Sequence, residues 1–275
     1  MTQLSIANQT LTLPSGTSLA YYDSRAGQLP VVVLLHGYCG SSAYWERVVE
    51  PLGAAARIIA LDLRGHGGSS EETGPDETNV MELYADDLAA MLDQLNINKA
   101  CVLGHSLGGY IALAFAERYE DKLTAFGLVH STPLPDSEPA KDNRDNAVAA
   151  IKKDGVSAFV EGLVPKLYSP DNKLTMTESV ERSIAIGRGT SASGAVGAAK
   201  GMKVRPDRTE VLKRTSLPLL LLAGEQDQII PAEKTFVVDG PEVNQEKIMN
   251  AGHMSMVEQP EAFVEAVQRF ISKLG

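Results

Sequence analysis

The sequence predicts an α/β protein: a doubly wound, mostly parallel sheet with a helical cap inserted between two of its strands. Three observations carry that expectation. Apolar runs of strand length (31–35, 57–61, 99–103 and 123–129) alternate with segments whose apolar residues recur at helical spacing. Those runs are continuous rather than alternating, which is the pattern of strands covered on both faces. The alternation then stops at Ser131-Thr132-Pro133-Leu134-Pro135 and resumes only at 217–223.

Taken in order, residues 3–6 and 18–23 read as short strands separated by the turn Pro14-Ser15-Gly16. The run 31–35 leads into His36-Gly37-Tyr38-Cys39-Gly40, then a helix carrying Tyr44, Trp45, Val48, Val49 and Leu52, with Ser42 as its N-cap. The strand 57–61 ends in the glycine-rich loop Asp62-Leu63-Arg64-Gly65-His66-Gly67-Gly68-Ser69-Ser70, the kind of surface loop that carries function. Residues 79–95 place Val80, Leu83, Tyr84, Leu88, Met91, Leu92 and Leu95 on one helical stripe. Strand 99–103, helix 107–119 and strand 123–129 follow, and parallel strands joined this way need right-handed crossovers. From 136 to 213 the pattern is polar and helical, with helices expected at 143–153, 156–167, 176–186 and 193–202, separated by Gly155, Pro170-Asp171 and 187–189. A structureless loop of that length is out of place in a folded domain. The segment 136–213 is therefore expected to be a helical cap, and 1–135 with 214–275 the core. Strand 217–223, a helix from Ala232, a strand 246–249 and a helix from Pro260 to Phe270 complete the chain.

Composition bounds the function. The chain has 275 residues, 44% hydrophobic and 22% charged, enough to build a sizeable core. A net charge of −10 argues against nucleic acid or an anionic membrane surface as partner. No apolar run approaches the ~20 residues of a membrane span, and Met1–Asn8 lacks the basic start and apolar centre of a secretory signal. Two cysteines, Cys39 and Cys101, suit a reducing compartment as unbridged, semi-buried residues. The expected location is cytoplasmic, and the chain is expected to be a monomer or homodimer.

The stretch with the most chemistry in it is Cys101-Val102-Leu103-Gly104-His105-Ser106-Leu107-Gly108-Gly109-Tyr110. A buried strand turns sharply into a helix with a serine at the apex. Gly104 and Gly108, having no Cβ, let strand and helix approach while Ser106 takes a strained conformation. The hydroxyl is pushed outward, and the Leu107 amide points to the same place at a helix N-terminus. A serine becomes a nucleophile only when a base takes its proton, and a carboxylate must orient that base. In an open parallel sheet the reactive edge lies at the carboxyl ends of the strands. Of five histidines, His105 should point away into the support, His36 and His66 sit in tight loops with structural roles, and His130 ends a strand where it can line a pocket. His253 alone lies past the acid at the proper edge. Asp227, just beyond strand 217–223, is the leading acid; Glu225 and Asp136 remain competitors. Backbone amides aimed at the developing oxyanion complete such a site. Leu107 supplies one, and the amide of Tyr38 is the choice for the other, although His-Gly-Tyr also reads as a plain tight turn.

These motifs resemble the α/β-hydrolase superfamily over nearly the whole chain: His36-Gly37, Asp62-Leu63-Arg64-Gly65-His66-Gly67, Gly104-His105-Ser106-Leu107-Gly108-Gly109, Gly224-x-x-Asp227-x-x-x-Pro231 and Gly252-His253-x-x-x-x-Glu258-x-Pro260. The resemblance implies the chain order Ser106, Asp227, His253 for a triad. It also implies a serine hydrolase of small carboxylic esters or lactones, working through an acyl-enzyme with no cofactor. Relatives with an aspartate nucleophile, the epoxide hydrolases and haloalkane dehalogenases, do not fit Ser106. No His/Glu/Cys cluster has metal-ligand spacing. Cys39 stands where many relatives carry another small residue, leaving a thiol influence near the anion site open. Tyr38, Trp45, Leu107, His130, Phe159, Leu163 and Ile229 are candidates for substrate contact, each with ordinary core as the alternative. The rival readings are a carbon–carbon bond hydrolase or lyase of the same fold, a ligand-sensing member without turnover, and a structural protein for which no motif speaks.

Overall fold

The computed structural model describes residues 5–25, 27, 29–71 and 74–274. Eight strands form one sheet: β1 (Gln9–Thr12), β2 (Ser18–Asp23), β3 (Val31–Leu35), β4 (Arg57–Leu61), β5 (Ala100–His105), β6 (Leu123–Val129), β7 (Leu219–Gly224) and β8 (Val243–Ile248). Their order across the sheet is β1-β2-β4-β3-β5-β6-β7-β8. The first two strands join as an antiparallel hairpin, and β2 pairs antiparallel with β4. Every later pairing is parallel. The central strands are the continuous apolar runs: Val32–Leu35, Ile58–Leu61 and Leu219–Leu222 are essentially without solvent exposure. At about 25 cal/mol per Å² of apolar surface buried, these two-sided strands are a main source of the driving force for folding.

Eleven helices accompany the described strands: α1 (Val49–Leu52), α2 (Met81–Gln94), α3 (Leu107–Arg118), α4 (Glu138–Leu163), α5 (Pro170–Thr175), α6 (Thr177–Gly187), α7 (Ala192–Val204), α8 (Thr209–Arg214), α9 (Ala232–Thr235), α10 (Ser255–Glu258) and α11 (Pro260–Ile271). Helix α3 packs on β3, β5 and β6 with α2 beside it, so every residue from Leu107 to Ala116 is buried. An all-apolar helix of this kind belongs inside the structure. Between β6 and β7 the described chain is helical only. Helix α4 bends at Gly155 (φ 82°) and packs along α7. Helix α7 meets the core through glycines: a Cβ on Gly194 would overlap the main chain of Gly65, and one on Gly65 would overlap Gly194. Hydrogen bonds reinforce this seam, from Ser191 N–H to the Gly65 carbonyl (3.0 Å) and from Asn79 N–H to the Gly197 carbonyl (3.0 Å).

Several local expectations are corrected. Residues 5 and 6 are not in a strand, and 3 and 4 lie outside the described residues; the first strand begins at Gln9 and gains its partner from β2. The helix expected after Gly40 splits into a 3₁₀ turn (Ser42–Trp45) and α1. Ser41, not Ser42, caps the turn by accepting from Ala43 N–H, while the Ser42 hydroxyl accepts from Ile6 N–H (3.2 Å) and its amide donates to Asp62 Oδ1 (2.6 Å). The helix expected at 176–186 is α6, whereas Pro170-Asp171, expected only as a break, opens the additional short helix α5 behind the Ser169 cap. Helices α8 and α10 are additional, and the helix from Ala232 stops after one turn.

Candidate active site

The carboxyl ends of β3, β5, β6 and β7 and the loop after β8 meet along one edge of the sheet, where Ser106 contacts Gly37 and Val129 and the neighbouring His105 holds His253, itself bonded to Asp227. Strand β5 ends at His105 and α3 begins at Leu107, leaving Ser106 alone at the turn with φ 52° and ψ −111°. A non-glycine residue at positive φ is strained, and the neighbours hold it there. Its N–H donates to the Val129 carbonyl (2.9 Å), and its carbonyl accepts from the Ser131 hydroxyl (2.7 Å). The turn has no room for a Cβ at two places. One on Gly104 would overlap the Gly108 carbonyl, and one on Gly108 would overlap the Leu35 carbonyl. The Gly37–Tyr38 segment passes directly alongside, since a Cβ on Gly37 would stand 3.3 Å from the Cβ of Ser106. The Leu107 amide, first in α3, has no partner within the helix.

His253 is brought to this point by three contacts. Its N–H donates to the Leu167 carbonyl (2.7 Å), its carbonyl accepts from His105 Nε2 (2.8 Å), and its ring lies 5.0 Å from the His105 ring. His105 therefore carries Ser106 on one side and holds the His253 main chain on the other. Glu258, 5% exposed, clamps the same loop. Its Oε1 accepts from Gly252 N–H (2.9 Å) and Met254 N–H (3.1 Å), the two residues flanking His253. Its Oε2 accepts from Ser169 N–H and Asn172 Nδ2 at 2.9 Å, fastening the start of α5 to this loop.

Asp227 is buried, and all of its hydrogen-bonding capacity is organised. Oδ1 accepts from the amides of Ile229 (2.8 Å) and Ile230 (2.9 Å). Oδ2 faces His253 Nδ1 at 2.7 Å and His130 Nδ1 at 3.1 Å. Burial works to raise this carboxyl, but the two imidazoles bonded to it outweigh that and hold it well below the ordinary carboxylate range. On His130 both Asp227 Oδ2 and the Gly224 N–H (3.2 Å) address Nδ1. A proton on Nδ1 avoids two lone pairs facing across the bond to the carboxylate, and leaves Nε2 to accept from the Ser255 hydroxyl at 2.7 Å. Burial lowers the pKa of His130, with Asp227 acting in the opposite sense, so the ring stays neutral. His130, Asp227 and His253 are also the group of candidate metal ligands among the described residues, their donor atoms lying within 4.8 Å of one another. Hydrogen bonding already accounts for that geometry, because both imidazole Nδ1 atoms turn toward the same carboxylate oxygen.

The other sequence candidates divide. His130 does not line a pocket: it is wholly buried and both ring nitrogens are bonded, so it supports Asp227 instead. Trp45 is wholly buried too, with its ring 6.3 Å from that of His105 and 6.0 Å from that of Phe263. It buttresses the elbow from within the core. Tyr38 is buried with its hydroxyl donating to the Ala195 carbonyl (2.9 Å), and Phe159 meets it edge-on at 5.9 Å between centroids. Leu163 is partly buried on α4, while Ile229 is 42% exposed. Glu225 is exposed and bonds the Asn250 amide, and Asp136 is engaged by Arg144 and Arg205, so neither faces His253. His36 bridges two loops, with Nε2 accepting from Leu63 N–H (3.0 Å), and His66 packs against it at 5.2 Å. Burial pushes the Cys39 thiol up to about 12, which keeps it protonated and sets aside a thiolate beside the elbow.

The supports that sequence reasoning missed are Ser131, Ser255 and the clamp function of Glu258. Only Glu258 left a trace, in the spacing Gly252-His253-x-x-x-x-Glu258.

Comparison with known proteins agrees with this architecture. A family model described as the alpha/beta hydrolase fold matches residues 30–260. The putative 2-succinyl-6-hydroxy-2,4-cyclohexadiene-1-carboxylate synthase of Bacillus subtilis (strain 168) is 30% identical over 274 residues, spanning 96% of this chain and 98% of its own. The 3-oxoadipate enol-lactonase 1 of Acinetobacter baylyi is 24% identical, spanning 96% of this chain and 97% of its own. Among solved structures, a thermophilic esterase from Thermogutta terrifontis superposes with a TM-score of 0.90 at 32% identity, over 97% of this chain and 99% of the other. With an eight-stranded sheet of the right order, a strained serine at the strand–helix turn and a match across most of its length, the chain belongs to the α/β-hydrolase fold family.

Proposed function

We propose that this protein is a serine hydrolase that cleaves a small carboxylic ester or lactone through an acyl-enzyme on Ser106. One observation carries the reading: the buried, ionised Asp227 is bonded to His253 Nδ1 at 2.7 Å, on a loop anchored beside the elbow. A proton held on Nδ1 leaves Nε2 as the basic nitrogen, the tautomer needed to take the Ser106 proton. Ser106 attacks the carbonyl carbon while His253 accepts its proton. The Leu107 amide and the Tyr38 amide stabilise the oxyanion, each such donor being worth about 10²–10³ in rate. His253 then protonates the departing alcohol, and water repeats the sequence to release the acid. Asp227 steadies the imidazolium formed in both halves. The helices from 136 to 213 act as a cap over this edge, meeting it at Tyr38, Gly65 and His253. Similarity to an esterase and to an enol-lactonase supports the substrate class.

The test is hydrolysis of p-nitrophenyl acetate and butyrate by the wild type and Ser106→Ala. Turnover is expected in the first and its loss in the second; comparable turnover in both would defeat the mechanism. A relative named as a synthase favours one second reading, a lyase or carbon–carbon hydrolase in which His253 acts directly on substrate. Rapid quench separates the two, since only the acyl-enzyme route leaves a mass adduct on Ser106.

A further inference from the structure

We propose that Arg144 presents its guanidinium fork to a carboxylate carried by the substrate, so that the preferred ester or lactone is an anionic one, with the acid group remote from the bond that is cleaved. The inference rests on the hydrolase reading above. A cavity of about 270 Å³ opens between the start of α4 and the core, and Tyr110, Thr132, Arg144, Ile229, Ile230 and Lys234 border it. Each core wall is one step from the candidate site. Tyr110 lies one turn along α3 from Ser106, Thr132 follows the Ser131 that bonds the Ser106 carbonyl, and the amides of Ile229 and Ile230 hold Asp227.

The cationic side of this cavity is built rather than incidental. Asp136 stands between two arginines, accepting from Arg144 Nε (3.0 Å) through Oδ2 and from Arg205 Nη1 (2.6 Å) through Oδ1. Arg205 is otherwise occupied: it bonds the carbonyls of Met202 and Leu134 and lies 3.9 Å over the Tyr110 ring. Arg144 differs. Its Nε is fixed by Asp136, its side chain is 25% exposed, and among the described residues nothing bonds its Nη1 or Nη2. The anchored Nε orients the plane of the group and leaves the two terminal nitrogens, the pair that meets a carboxylate bidentately. Lys234 adds a third positive charge beside Arg144 and Arg205, against the single negative charge of Asp136, in a chain whose net charge is −10. Ile229 and Ile230 give an apolar path for the methylenes joining the two ends of a substrate. Asp136 makes a monoanionic carboxylate a better fit than a phosphate dianion, which would sit against its negative charge.

The experiment compares monoethyl succinate, glutarate and adipate with ethyl butyrate, valerate and hexanoate, neutral esters of the same acyl lengths, by pH-stat. Wild type is expected to show a higher kcat/KM for at least one anionic ester than for its neutral partner. Arg144→Gln is expected to lower that ratio by about tenfold to a hundredfold, the worth of a charged hydrogen bond, and Arg144→Lys to recover part of it. An unchanged ratio in Arg144→Gln, or a wild type that prefers every neutral ester, overturns the proposal. Binding of free adipate, followed by calorimetry in wild type and Arg144→Gln, reads the carboxylate site without turnover. If no ester is hydrolysed but adipate binding weakens in the variant, the hydrolase reading fails and the anion site stands. Equal adipate binding in the two proteins, or none in either, sinks the anion site whatever the esters do.

Discussion

Replacing Asp227 with asparagine should separate orientation from stability. The Oδ1 position accepts from two backbone amides, Ile229 and Ile230, at 2.8 and 2.9 Å. In Asp227→Asn the amide oxygen must take that place, because an NH₂ there would face two donors. The NH₂ then points where Oδ2 was, toward Nδ1 of both His253 and His130. Both rings must turn acceptor at Nδ1. His130 tolerates the change, since the Gly224 N–H already points at that nitrogen and the Ser255 hydroxyl can accept from Nε2. His253 does not, because its proton moves to Nε2, where the proposed mechanism requires a base. We expect kcat on a short ester to fall by about 10⁴-fold, the loss that the same change causes in a serine-protease triad. The stability cost should be only about 1 kcal/mol, from the loss of charge in the hydrogen bonds. Asp227→Ala instead strands two amides and two imidazole donors, at roughly 1–3 kcal/mol for each buried group left unsatisfied. Urea denaturation of the two variants, alongside ester kinetics, makes the comparison. Activity of Asp227→Asn within tenfold of wild type, or equal stability of the two variants, would refute the reasoning.

The remaining predictions are read by similar assays. Gly104→Ala drives a methyl into the Gly108 carbonyl and should cost more than ~3 kcal/mol or prevent folding. Gly162→Ala, on an exposed helical site with open space, should raise stability by about 0.5–1 kcal/mol, and melting temperatures order the two. Glu258→Gln replaces a carboxylate that accepts four hydrogen bonds, so we expect a loss of about 1.5–3 kcal/mol and a fall in kcat as the His253 loop loosens. Burial holds His66 down at about 4, opposed by its bond to the Arg64 carbonyl and the charge of Asp62, and lowers His36, His105 and His130 as well. These histidines favour the neutral form when folded. Their contribution is therefore complete above the unfolded pKa of about 6.5 and is lost as pH falls, up to ~3 kcal/mol for His66 by pH 4. Urea midpoints should drop between pH 6.5 and 4, and His66→Gln should flatten part of that slope; an unchanged slope refutes the assignment.

The central strands were readable because two-sided burial writes itself as unbroken apolar runs, and the elbow because its glycines answer a steric demand. The first strand was not. Gln9–Thr12 has alternating, half-exposed residues and exists by virtue of its pairing with Ser18–Asp23. Between 136 and 213 the limits of α6 and α7 were legible to within one or two residues, but those of α4 were not, because it buries only Ile151, Val156 and Val160, too sparse a stripe to mark its ends. At the site, Ser106, Asp227 and His253 stand in spaced motifs, whereas His130 showed only as a histidine at a strand end. Whether such a ring faces a cavity or an aspartate depends on a neighbour 97 positions away. Arg144 was silent for the same reason, since its partners Asp136 and Arg205 become neighbours only after the helices pack.

The glycine pair that joins α7 to the loop after β4 also bears on how this protein can be altered. Main chain rests on main chain at Gly65 and Gly194, so there is no side chain to shorten and no bulk to remove. Any residue added at either position acts as a wedge and tilts the helical layer away from the sheet. If the protein takes the ester or lactone proposed above, room for a larger acyl group would have to be made elsewhere, on partly exposed residues such as Phe159, Leu163 and Ile229.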